Sequence, residues 1–175
     1  MSSGAASSIV QAAFAAFDRE EWEGFIELTD PAYVAEFRER QVQHARAYWR
    51  QLLPAISPVF DPARRFGVTT VEELEALSAE EVFARSLDSS RHGPTCVHGP
   101  KPDFRVVRTV LGEVKEGGAL SHVIYRAVAM LDGVEGREML RVATVKRIGG
   151  QWRLSMADGL LLRDLLGLDL EGGLS

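Results

Sequence analysis

The 175-residue chain contains a single cysteine, Cys96. One cysteine closes no internal bridge, so the fold must be held by burial, and a reducing compartment is the simplest setting. Basic residues are outnumbered, 20 against 25 acidic, for a formal net charge of −5. That balance argues against a broad nucleic-acid surface, which needs a basic stripe. No apolar run reaches the roughly eighteen residues of a membrane-crossing helix. The stretch Met1 to Ser8 has neither the positive charge nor the apolar core of a secretory signal. It reads as a loose leader, and the cytoplasm is the expected address. The chain also lacks a Gly-x-Ser-x-Gly elbow and a phosphate-binding Gly-x-x-x-x-Gly-Lys-Ser/Thr run. Two common routes to nucleophile and nucleotide chemistry are thereby removed.

What is present is a globular composition, 46% hydrophobic and 26% charged. The length suits one domain, and such a chain buries about two-thirds of its unfolded surface. The first half has helical spacing. Ile9, Val10, Ala13, Phe14 and Phe17 make one apolar face, with Ser7 or Ser8 as cap. Asp18 with Glu21 has the form of a capping box for a short helix that buries Trp22, Phe25 and Ile26. Asp30-Pro31 starts a long helix that can run to Leu53, where Pro54 stops it. Its stripe is Tyr33, Val34, Phe37, Ala45, Tyr48 and Leu52, interrupted by Gln41 and His44. Thr70 with Glu73 and Ser78 with Glu81 are two further capping boxes, the second opening a helix through Leu87. Asp88 to Asp103, with Pro94, Pro100 and Pro102, reads as a long loop.

The second half reads as strands. Phe104 to Val114 alternates, with Phe104, Val106, Arg108 and Val110 on one face. Leu120 to Leu131, Gly136 to Ile148 and Gln151 to Ala157 follow, separated by glycine turns. Strands joined by turns this short form an antiparallel meander. Helices followed by a meander define an α+β domain with N-terminal helices on an antiparallel sheet. The tail from Leu160 to Leu170 is rich in leucine and is expected to fold back on the domain or bury in a second subunit.

This order resembles the nuclear transport factor 2-like superfamily, which includes SnoaL-like cyclases and ketosteroid isomerases. The resemblance rests on the helix, aspartate turn and second helix in Ala12 to Phe25, with Phe14, Phe17, Asp18, Trp22 and Phe25. It rests also on the glycine-turn hairpin before a tryptophan strand, Thr144 to Leu154, with Gly149, Gly150 and Trp152. It covers roughly residues 8 to 158. The resemblance implies a curved sheet wrapped around a long helix, a cone-shaped cystatin-like fold with a cavity at its open end. It also implies frequent dimerisation through the outer sheet face. The division that follows is a leader over 1–7, a nuclear transport factor 2-like domain over 8–158, and an apolar tail over 159–175. The long third helix, the loop after Leu87 and the tail depart from the pattern.

Gln41, His44 and Tyr48 share one helical face and are the candidate ligand-binding groups, with Tyr125 from the inward row of the second strand. On that strand Val123, Tyr125, Ala127 and Ala129 are expected to face inward, and His122, Ile124, Arg126 and Val128 outward. Acid–base chemistry needs a carboxylate and a hydroxyl donor. His44, Tyr48, Tyr125 and Asp158 are the candidate catalytic residues, although Asp158-Gly159 is also a common turn. His92, Cys96 and His98 have metal-ligand side chains, yet their spacing fits no zinc pattern, so neither metal nor cofactor is expected. The favoured reading is a small-molecule-binding or scaffold protein, with an apolar or aromatic ligand and a homodimer formed through the sheet. The alternatives are an acid–base isomerase, cyclase or hydratase of the SnoaL-like type and a dimeric protein-interaction module. Neither nucleic acid nor membrane is an expected partner. Trp22 and Trp152 are expected to be largely buried.

Overall fold

The computed structural model describes residues 5–51, 64–92, 104–156, 161 and 165, and for 48–51, 64, 91, 92 and 104 it describes the backbone alone. It is an α+β chain with helices first and a four-stranded antiparallel sheet after them. The chain divides into two compact units, one made of residues 1–30 and 95–175, the other of residues 31–94.

The first unit holds helices α1 (Ala5–Asp18) and α2 (Trp22–Leu28) and the sheet. The expected leader over 1–7 is corrected, because Ala5, Ala6 and Ser7 already belong to α1 and Ala6 and Ser7 are buried. Ser7 therefore sits inside the helix, not at its cap. The face of Val10, Ala13, Phe14 and Phe17 is buried as its spacing requires. The expected capping box at Asp18 does not form. Asp18 ends α1, and α2 starts after Glu21 with no side-chain cap bond. The cause is a Schellman closure of α1. Glu20 takes the left-handed conformation at φ 59°. Its N–H donates to the Phe17 carbonyl, and the Glu21 N–H donates to the Ala16 carbonyl. Glu21 then turns to Arg19 at 2.8 Å. Trp22 is half-buried, edge-on to Phe17 at 5.6 Å, not largely buried as expected.

The sheet runs in the order β1-β2-β3-β4, with β1 Phe104–Glu116, β2 Leu120–Leu131, β3 Val134–Ile148 and β4 Gln151–Ser155. Asp132 and Gly133 both have positive φ, as do Gly149 and Gly150, which is the geometry of tight hairpin turns. Trp152, Leu154 and Met156 share the inward side as expected. Leu154 and Met156 are fully buried, and Trp152, nearer the strand's start, is only half-buried. Thr29 bridges Leu154 in parallel, and the Asp30 N–H donates to the Leu154 carbonyl at 2.9 Å. The buried Asp30 carboxylate is paired with Lys146. Leu161 and Leu165 are helical and buried, at 3% and 4% exposure, so these tail leucines are covered in this chain itself.

The second unit holds α3 (Pro31–Gln51), a short turn at Arg64–Phe66, α4 (Val71–Ala76) and α5 (Ala79–His92). Its core is aromatic: Phe83 meets Tyr33 and Phe37 edge-on at 5.9 and 5.1 Å. The stripe of α3 includes Val42, which the spacing argument omitted, beside Val34, Phe37 and Ala45. Its last two members, Tyr48 and Leu52, lie outside the described side chains. The Ser78–Glu81 box closes reciprocally at 2.8 and 3.1 Å. The other box closes one residue early: Thr70 caps the Glu73 N–H, but the Glu73 carboxylate accepts from Thr69. The long loop expected from Asp88 is corrected at its start, since Asp88 to His92 complete α5. The Ser90 hydroxyl bonds back to the Ser86 carbonyl at 2.7 Å, so a polar turn continues the helix without apolar periodicity.

Candidate functional site

Two surfaces of the sheet differ in chemistry, and β2 sets both. Its residues alternate between buried and half-exposed along the strand. Val123, Tyr125 and Ala127 are at most 1% exposed, and Ala129 is also buried. Tyr125 packs edge-on to Phe14 of α1 at 4.9 Å, which makes it a core aromatic.

A bulge re-aims β1 onto this inward side. Val110 pairs with Tyr125, yet Gly112, not Leu111, pairs with Ile124. The extra residue reverses the alternation beyond it. Glu113 consequently stands opposite Val123 on the inward side instead of facing out. Its carboxylate accepts from the Ser7 N–H at 3.1 Å and from the Ser7 hydroxyl at 2.9 Å. A strand carboxylate thus satisfies an amide in the first turns of α1 and complements the positive end of the helix. Burial pushes the Glu113 carboxyl up. The bonds from Ser7, the bond from Ser121 and the charge of Lys115 outweigh burial and hold it below the ordinary value.

Arg108 is the second inward polar group on β1, paired with Ala127. Its side chain is 2% exposed. The guanidinium lies over the rings of Phe14 and Phe17 at 5.5 and 5.9 Å. It donates to the Asp18 carboxylate at 3.0 Å and to the Leu165 carbonyl at 3.1 Å. One residue therefore ties the end of α1 and the tail to the sheet.

The outward side is apolar and open. Val107, Leu111, Val114, Leu140 and Val142 are all at least 47% exposed. Val142 pairs with Ile124 and Leu140 with Arg126, while Val107 lies opposite Val128 and Val114 opposite His122, so the apolar positions are spread along the face with charged residues between them. Arg126 and Glu138 sit among them, 3.9 Å apart. At one end His122 bridges the Thr144 hydroxyl at 3.1 Å and the Glu116 carboxylate at 2.9 Å.

The proposed pocket residues fall in different places. Gln41 is half-buried and His44 exposed on α3, in the second unit. Val42 and Ala45, on either side of His44 in sequence, are buried, so the buried stripe at this level of α3 runs through them and leaves His44 on its flank. The Tyr48 side chain and Asp158 lie outside the described residues, as do Cys96, His98 and the side chain of His92. Tyr125 is in the core of the first unit. Among the described residues no group of three or more His, Cys, Asp or Glu side chains is placed to hold a metal, and no helix is long and apolar enough to cross a membrane. Spacing arguments missed Arg108 and Glu113. Arg108 was in phase with Phe104, Val106 and Val110, which was a usable signal. Glu113 was out of phase, and only the bulge, which the isolated Gly112 could have signalled, turns it inward.

No protein-family model matches the chain, and no curated protein or solved structure matches it.

Proposed function

We propose that this protein is a scaffold or interaction module that pairs with a second copy of itself through the outward side of its sheet, within the broader resemblance to nuclear transport factor 2-like proteins. The observation that carries the reading is the number of exposed apolar residues on one sheet face, Leu140 and Val142 two apart on β3 with Val107 and Val114 farther along β1 on either side of them. Exposed apolar surface of this kind marks interaction sites. The patch also carries both signs of charge side by side. A two-fold related copy sets Arg126 of each chain against Glu138 of the other, the self-complementarity an isologous contact needs. Twelve-residue β2 spans roughly 40 Å at ~3.3 Å per residue. Three strands of about that length with five-residue β4 beside them give a face of roughly 600–700 Å², somewhat below the ~800 Å² per partner of a standard interface. The test is charge exchange. Arg126→Glu and Glu138→Arg should each weaken association in sedimentation equilibrium, and mixing the two variants should restore it. Unchanged mass in both single variants would overturn the reading.

A second reading is the binding of a small apolar or aromatic molecule on the inward side. It is favoured by Arg108, an ion set in a wall of phenylalanine rings, since pockets orient ligands by a few polar groups in apolar linings. The acid–base isomerase reading would draw on Tyr125, Tyr48, His44 and Asp158, and rests on the resemblance alone. The lone Cys96 suits a reducing compartment, and the cytoplasm is the proposed location.

A further inference from the structure

β1 closes one side of the sheet, since β2 is the only described strand hydrogen-bonded to it. An edge strand of 13 residues presents a row of backbone donors and acceptors that a further strand can take up. Half of the large apolar side chains left exposed among the described residues, Val107, Leu111 and Val114, stand on this strand. Charges and bulges commonly guard such edges, and β1 has both, in Arg105, Lys115, Glu116 and the bulge at Leu111. Their placement nevertheless suits one occupant, a second copy of β1. When a regular strand pairs antiparallel with its own copy, residues set opposite on one face are an even number of positions apart. The bulge changes this. Arg105, Val107 and Thr109 share the outward side with Met130, Val128 and Arg126 of β2, and beyond the bulge Val114 and Glu116 share it with His122 and Leu120. A two-fold axis centred on the bulge therefore sets Arg105 of each copy against Glu116 of the other, and Val107 against Val114. A register shifted by two residues either way sets Arg105 against Val114 or Val107 against Glu116, a charge against an apolar side chain. Arg105 and Glu116 are exposed, and Glu116 meets His122 Nε2 through Oε2, which leaves Oε1 for the guanidinium. We infer that β1 pairs antiparallel with β1 of a second copy in this register and continues the sheet from four strands to eight. The contact uses the edge of the sheet, so it goes beyond pairing through the outward face and stands without it.

Disulfide trapping in the full-length chain reads the register. Two chains are made, both with Cys96→Ser, one with Val107→Cys and the other with Val114→Cys. Both valines are exposed, so neither change should unfold the chain. Opposite residues of paired strands lie about 4.5–5.5 Å apart at Cα, within reach of a disulfide. Residues of two sheets stacked face to face are about 10 Å apart and out of reach. Mild oxidation of the mixture should give a covalent dimer of one chain of each kind, with the bridge between positions 107 and 114 identified by mass spectrometry. Either chain oxidised alone should give at least about tenfold less, because its two cysteines stand roughly 23 Å apart along the pairing. Arg126→Glu, which breaks the face contact, should leave the bridge in place. Arg105→Glu and Glu116→Arg should each lower the yield about tenfold, and both together in every chain should restore it. Equal trapping in mixed and single-chain samples, or none in either, would overturn the inference. Loss of the bridge with Arg126→Glu would assign the contact to the outward face and overturn it as well. The charge exchange between Arg126 and Glu138 can fail while the bridge still forms, so the two readings fall separately.

Discussion

The inward and outward rows of β2 are built from the same strand, one residue out of phase, yet they do different work. Val123, Tyr125 and Ala127 are buried and closely packed, and Tyr125 is held by the Phe14 ring. Ile124, Arg126 and Val128 lie among exposed valines and a leucine. An antiparallel sheet with one solvated face ordinarily alternates apolar and polar residues. Here the outward row keeps much of the apolar character of the inward one. Stability resides in the first row, and the second is surplus apolar surface, which is why it is read as an interface.

The largest effect expected from breaking this contrast is on the inward side. Tyr125→Ala removes a fully buried aromatic and should destabilise the chain by about 3–5 kcal/mol in urea unfolding. A loss below about 1 kcal/mol would mean that the inward side is not the core.

Glu113→Gln comes next. It keeps the shape of the side chain and removes the charge that α1 sees, at a cost of about 1 kcal/mol. The sign with pH follows from the lowered carboxyl value of Glu113. Its contribution is present above the ordinary carboxylate range and is lost as pH falls through the lowered folded-state value. The difference in thermal stability between wild type and Glu113→Gln should therefore shrink on acidification. A constant difference would detach the helix cap from this carboxylate.

Glu20→Gly should raise stability by a few tenths of a kcal/mol to about 1 kcal/mol, because glycine adopts the left-handed closure of α1 without a Cβ penalty. The smallest effect belongs to the outward side. Val142→Thr should change the stability of the isolated chain by less than about 0.5 kcal/mol. It should still weaken self-association, and a large loss of monomer stability would contradict the division between the two rows.

Strand order, turns and the inward row of β2 were legible because alternation and glycine-rich turns are local signals. The glycine turns at Gly149-Gly150 and Asp132-Gly133 needed no tertiary information. What escaped the sequence depended on tertiary geometry. The bulge at Leu111 is marked in the sequence only by the isolated Gly112, and it decides that Glu113 faces α1. The capping box at Asp18 was a sound local pattern that lost to a Schellman closure and to the pairing of Asp18 with Arg108. Of the candidate site, Tyr125 was placed on the correct side of its strand, but packing against Phe14 makes it part of the core. The shared helical face of Gln41 and His44 was equally legible. Which side of the later turns of α3 is buried was not, since Val42 and Ala45 carry the stripe there and His44 is left exposed.

The most direct test of the central claim is the mass of the unmodified chain in solution, measured by sedimentation velocity across a micromolar concentration series. Self-association through the outward side predicts a species of twice the chain mass that dissociates on dilution. A single species of one chain mass at every concentration would contradict it.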